Sequence, residues 1–221
     1  MARERTEQLI HIPVDAIRLE GMLGIPAGAA GVVLFAHGSG SSRLSPRNNF
    51  VARLLRDAGL GTLLMDLLTR EEDTTYETRF DIDLLTRRLE AATKWLASKT
   101  ETQVLKLGYF GASTGAAAAL QAAAALGPMI NAVVSRGGRP DLAWSALGLV
   151  EAPTLLIVGE IDFSVVELNQ RAYKELKAEK QLVLVPGATH LFEEPGALEE
   201  VAHLASEWFN RYLRAKSSRG P

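Results

Sequence analysis

An α/β fold of three layers, with about eight mostly parallel strands and helices on both faces, is what this sequence predicts. Two observations predict it. Short runs rich in Val, Ile and Leu alternate with longer amphipathic segments, the order expected of βαβ units around a parallel sheet. One of those runs, Val32-Val33-Leu34-Phe35-Ala36, is unbroken by any polar residue, as a strand buried on both faces requires.

The elements follow in order. Residues 8–12 and 16–25 read as an antiparallel hairpin at the sheet edge, turned near Pro13 to Asp15. The apolar run at 32–36 is a central strand, followed directly by a Gly/Ser-rich loop. A helix over 46–58 ends near Gly59, and 62–65 supplies the next strand, ending at Asp66. Apolar spacing at Ile82, Leu85, Leu89 and Ala92 predicts a helix over 81–98. Strands at 104–110 and 132–135 flank a helix over 113–126, and strands at 154–158 and 182–185 flank one over 165–176. A last helix covers 197–213. Only 18 residues separate the strands ending at 135 and starting at 154, too few for a large lid, so an open site is expected.

Composition narrows the function. A chain of 221 residues with 47% hydrophobic content suits one domain, here 1–215, with 216–221 a short flexible tail. Lysine plus arginine number 24 against 26 acidic residues, so no basic surplus exists for a nucleic-acid backbone, and nucleic acid is not an expected partner. The absence of cysteine excludes thiolate chemistry, and the scattered histidines suggest no metal and no cofactor. The charged N-terminus lacks an apolar signal-peptide core, and the longest apolar stretch, 116–126, is far short of the roughly 20 residues that span a bilayer. A cytoplasmic location with no membrane partner is the expectation.

The chemistry centres on Gly111-Ala112-Ser113-Thr114-Gly115. This is G-x-S-x-G between a strand and a strong helix former, the setting in which a serine is lifted onto a tight turn and faced by the helix's free N–H groups. A plain N-cap serine beside packing glycines is the competing reading. Residues 107–116, Leu-Gly-Tyr-Phe-Gly-Ala-Ser-Thr-Gly-Ala, resemble the nucleophile elbow of the α/β-hydrolase superfamily, most like its dienelactone hydrolase-related branch, and the likeness runs from the first central strand to the last helix. Dienelactone hydrolases proper use a cysteine nucleophile. The serine here favours a serine esterase of the same architecture, acting on a small-molecule ester.

A serine hydroxyl needs a base, and the superfamily order is Ser, acid, His. His190 and His203 are the two histidines after Ser113. His203 falls within the last helix, whereas His190 follows a strand through a loop at the carboxyl end of the sheet, where such sheets bind ligands. His190 is therefore the base. Asp162 and Glu160 are the candidate acids at the end of the preceding strand. The resemblance favours Asp162, and the other carboxylate would cap the following helix. Ser39 and Thr114 are the expected backbone donors of an oxyanion hole, with His37 orienting the 37–42 loop. Gly38, Gly40, Arg136, Arg139 and Phe163 are candidates for substrate contacts, with Arg136 or Arg139 favoured among Arg43, Arg47, Arg136 and Arg139 for an anionic group, and Trp144 and Phe163 for an acyl pocket.

Three other readings remain open. Gly38-Ser39-Gly40 after a strand faintly suggests a dinucleotide fingerprint, but Arg43 replaces its third glycine. A non-catalytic binding protein could use the fold. The same triad also serves lactone or thioester hydrolysis and acyl transfer.

Overall fold

The computed structural model describes residues 7–214. The expected tail at 216–221 lies outside them. Eight strands form one sheet in the order β1-β2-β4-β3-β5-β6-β7-β8. The hairpin β1 (Glu7–Val14) and β2 (Ile17–Gly24) sits at one edge, and β2 runs antiparallel to β4 (Gly61–Met65). From β4 onward, β3 (Gly31–Ala36), β5 (Lys106–Ala112), β6 (Ile130–Arg136), β7 (Thr154–Gly159) and β8 (Lys180–Val185) are parallel.

Strand alternation divides the core in two. Val32, Leu34, Leu107, Tyr109 and Leu156 face α3 (Ile82–Ala97), α4 (Thr114–Leu126) and α5 (Phe163–Glu175), while Val33, Phe35, Phe110, Leu155 and Ile157 face α1 (Pro46–Asp57) and α6 (Ala197–Leu213). Burial on both sides is why these strands read as continuous apolar runs. The alanine-rich α4 is buried through most of its length because small side chains let it lie against the sheet, α3 and the segment after β6 at once.

The structure departs from the sequence reading at several places, and β6 and β8 each begin two residues earlier than expected, at Ile130 and Lys180. β5 begins at Lys106, not 104, and Val104 is exposed: the chain is still turning there, with Gln103 N–H on the Lys99 carbonyl at 2.7 Å and Leu105 N–H on that of Thr102 at 2.9 Å. The segment between β6 and β7 is a kinked 3-10 helix, Pro140–Leu149. The connection after β4 contains a 3-10 turn, Glu72–Thr74, and a single helical turn, α2 (Tyr76–Arg79), held by Arg88 to Glu72 at 2.9 Å and Arg79 to Asp73 at 3.0 Å. No helix among the described residues is long and apolar enough to cross a membrane.

Candidate active site

The carboxyl ends of β3, β5, β7 and β8 deliver the loops that carry the chemistry. Ser113 joins β5 to α4 with φ +51°, a left-handed conformation unusual for a residue other than glycine. Neighbouring backbone over-determines it. The Ser113 N–H donates to the Arg136 carbonyl at 3.2 Å, and its own carbonyl accepts from Arg139 at 3.1 Å and Ala116 at 3.1 Å. The flanking glycines permit the turn: a Cβ on Gly115 would lie 2.1 Å from the Ala36 carbonyl oxygen, and one on Gly111 would lie 2.4 Å from Ala116 Cα.

The turn that holds Ser113 is itself anchored. Asn169, fully buried in α5, donates from Nδ2 to the Gly138 carbonyl at 3.0 Å and to that of Val165 at 2.8 Å. Gly137 donates to Ile157 at 2.8 Å. The same helix begins at Asp162, so one rigid element links the acid to the brace of the serine.

Asp162 and His190 meet directly. Asp162 Oδ2 lies 2.6 Å from His190 Nδ1, and since a carboxylate can only accept, Nδ1 carries a proton, which in the neutral imidazole leaves Nε2 with its lone pair. Asp162 occupies the N-cap position of α5 without capping it, its side chain being turned to the histidine. Glu160 points elsewhere: its Oε2 accepts from Gly187 N–H at 2.9 Å and ties down the loop that carries His190. Glu194 braces the far end of that loop by accepting from Thr189 N–H at 3.1 Å and Oγ1 at 2.6 Å. The imidazole is over a third exposed, at 39%, while the Asp162 carboxylate is shielded at 13%. His203 pairs with Glu207 at 3.3 Å on the exposed side of α6.

The 37–42 loop packs on the nucleophile turn, with a Cβ on Gly38 only 3.1 Å from Ser113 Cβ. Ser39 and Thr114 are brought together, but the Ser39 N–H is engaged, donating to Thr114 Oγ1 at 2.8 Å. Thr114 opens α4, where first-turn amides have no intrahelical acceptor. His37 is buried and bridges two loops: Nε2 accepts from Leu67 N–H at 3.0 Å and Nδ1 donates to the Gly38 carbonyl at 3.0 Å. Desolvation holds its pKa below the usual 6.5, against the opposing effects of the Gly38 hydrogen bond, Asp66 and Asp73. Below pH 6.5 the unfolded chain therefore takes up a proton that the folded chain refuses. Stability should rise with pH between the lowered value and 6.5, by at most about 1.4 kcal/mol per unit. Urea denaturation at pH 5 and 7 checks this, and the difference between the two pH values should shrink in His37→Gln.

The substrate-contact candidates separate. Arg139 is committed to Asp141 through two bonds of 2.9 and 2.7 Å, so its charge is already answered. Phe163 stands on the rim, 76% exposed, and Trp144 is exposed beneath the Arg171 guanidinium, so neither encloses an acyl pocket. Gly40 has φ +67°, and a Cβ there would be 3.8 Å from Nη1 of Arg79. Sequence reasoning passed over Arg79, because a four-residue helix has too short a period to announce itself. It also passed over Asn169, a polar residue on an otherwise ordinary helix.

Comparison with known proteins follows the same lines. The chain is similar to a dienelactone hydrolase structure from Anabaena variabilis, at 58% identity over 95% of this chain and 99% of that one, with a TM-score of 0.93. It is 55% identical over 207 residues to a Mycobacterium tuberculosis protein that carries the name phosphoribosyl transferase; the match takes in 94% of this chain and 47% of that relative, so the chain spans about half the relative's length. Est1E from Butyrivibrio proteoclasticus shares the fold, with a TM-score of 0.80 at 17% identity over 92% of this chain and 98% of the other. Residues 19–215 match the dienelactone hydrolase family, and the chain belongs to that family.

Proposed function

We propose that the chain is a carboxylic ester hydrolase working through an acyl-enzyme on Ser113, with His190 as base and Asp162 as the acid that orients it. The single observation that carries this reading is the 2.6 Å bond from His190 to Asp162, which fixes the imidazole tautomer with a free Nε2, in a molecule that also holds Ser113 at φ +51°. A structural serine needs no such strain, and a structural histidine needs no shielded carboxylate.

In the mechanism, Ser113 Oγ attacks the ester carbonyl as its proton passes to His190 Nε2, and Asp162 stabilises the imidazolium. The oxyanion forms against the Thr114 N–H and the Ser39 N–H, the latter released when the Thr114 hydroxyl rotates away. His190 then protonates the departing alkoxide. A water deprotonated by His190 attacks the acyl-enzyme, and collapse returns the proton to Ser113. Gly38 lies beside the nucleophile, and the exposed Phe163 and Leu191, next in the chain to Asp162 and His190, offer apolar surface for the substrate's hydrocarbon part. The phosphoribosyl transferase name belongs to a relative about half of whose length this chain does not match.

The test is a chain-length series of p-nitrophenyl esters, together with an alkyl fluorophosphonate and mass analysis of the labelled peptide. Turnover of short acyl esters and an adduct on Ser113 are expected. Absence of both would overturn the reading.

A further inference from the structure

Arg136, the last residue of β6, is only 8% exposed, and its Nε and Nη1 are sealed from solvent without an acceptor. Its guanidinium lies over the Phe192 ring, 5.8 Å from the centroid. Other inward-facing arginines have acids: Arg43 has Asp66 and Glu20, Arg56 has Glu7, and Arg88 has Glu72. Among the described residues no carboxylate pairs with Arg136. The charge that acts on it is another cation, Arg47, whose own partner is Glu193 at 2.9 Å. Burial pulls the Arg136 guanidinium down to about 10, still fully charged at neutral pH. A buried cation left without a counter-charge is an unfavourable arrangement that folding alone does not call for.

Its position is as telling as its isolation. The Arg136 carbonyl accepts the Ser113 amide, and at the next residue a Cβ on Gly137 would lie 3.3 Å from the His190 carbonyl oxygen and 3.5 Å from its ring Cε1. The unpaired charge therefore belongs to a residue whose backbone carbonyl holds the nucleophile's amide and whose sequence neighbour approaches the base.

We propose that Arg136 is the receptor for an oxyanionic group, carboxylate or phosphate, on the ester substrate, with Nη2 as the contact. This deepens the hydrolase reading and rests on it. A guanidinium presents the planar donor pair that carboxylate and phosphate oxygens match, and a charged group bound there would answer the missing counter-charge.

The experiment compares ethyl butyrate, monoethyl succinate and ethyl phosphonoacetate by pH-stat in wild type, Arg136→Met and Arg136→Lys. Wild type should favour a charged ester in kcat/KM, and whichever of the two it favours separates carboxylate from phosphate. The ratio of charged to neutral ester should fall at least about tenfold in Arg136→Met, through KM, and recover in part in Arg136→Lys. A wild-type preference for ethyl butyrate, or a ratio unchanged in Arg136→Met, would overturn the proposal. If wild type cleaves none of the three, the p-nitrophenyl ester and fluorophosphonate tests decide whether the hydrolase reading fails. The receptor is then read by calorimetry with succinate and inorganic phosphate: binding lost in Arg136→Met upholds it, and binding that is absent or equal in both proteins overturns it.

Discussion

Ser113→Ala should lower kcat for p-nitrophenyl acetate by roughly 10⁴ to 10⁶ while leaving the fold intact, because every step of the proposed reaction passes through the oxygen it removes. Alanine lacks the hydroxyl but keeps the Cβ, so it fits beside Gly38 as serine does, and the left-handed backbone is held by the same Arg136 and Arg139 bonds. The circular dichroism spectrum and the urea midpoint should both stay near wild type. Turnover equal to wild type in a folded variant would remove Ser113 from the mechanism and shift attention to a water activated by His190.

Asp162→Asn should cost about 10⁴ in kcat with little change in KM, whereas Glu160→Gln should cost less than about tenfold. The asparagine is isosteric, but its amide can meet Nδ1 as a donor, turning the imidazole to the tautomer with Nε2 protonated and unable to take the serine proton. Glu160 acts only by holding Gly187 at 2.9 Å from an exposed position, a bond that glutamine can still accept. Steady-state kinetics on both variants across pH 6 to 9 gives the comparison. Comparable losses at the two positions would mean that the carboxylates share the task.

The two variants also mark how far the sequence could be read. β3, β5 and β7 were legible because burial on both faces leaves them almost wholly apolar, with Lys106, Tyr109 and Thr154 their polar residues, and Ser113 because the G-x-S-x-G turn needs glycines where backbone would otherwise collide. Asp162 and Glu160 could be narrowed but not separated by pattern alone. They sit two residues apart in one turn, and backbone direction decides which faces the histidine. Pairings between distant residues were out of reach for the same reason: nothing local says that Arg139 is answered by Asp141, that Arg136 is answered by nothing, or that the Ser39 amide rests on Thr114 Oγ1. Val104 misled because β-branching favours strands wherever it occurs, and the turn that keeps it outside the sheet depends on Lys99 and Thr102.

The brace on Ser113 has a practical consequence. The nucleophile's posture is set from the strand next door, through a four-residue turn bolted to the helix that begins at the acid, so sequence changes at 136–139 or at Asn169 disturb two members of the reaction centre together. The connection after β4, with its single helical turn and its ion pairs at the cleft's edge, hangs free of that linkage. Anyone reshaping this protein to accept new substrates should diversify residues 69–80 and leave the turn after β6 untouched.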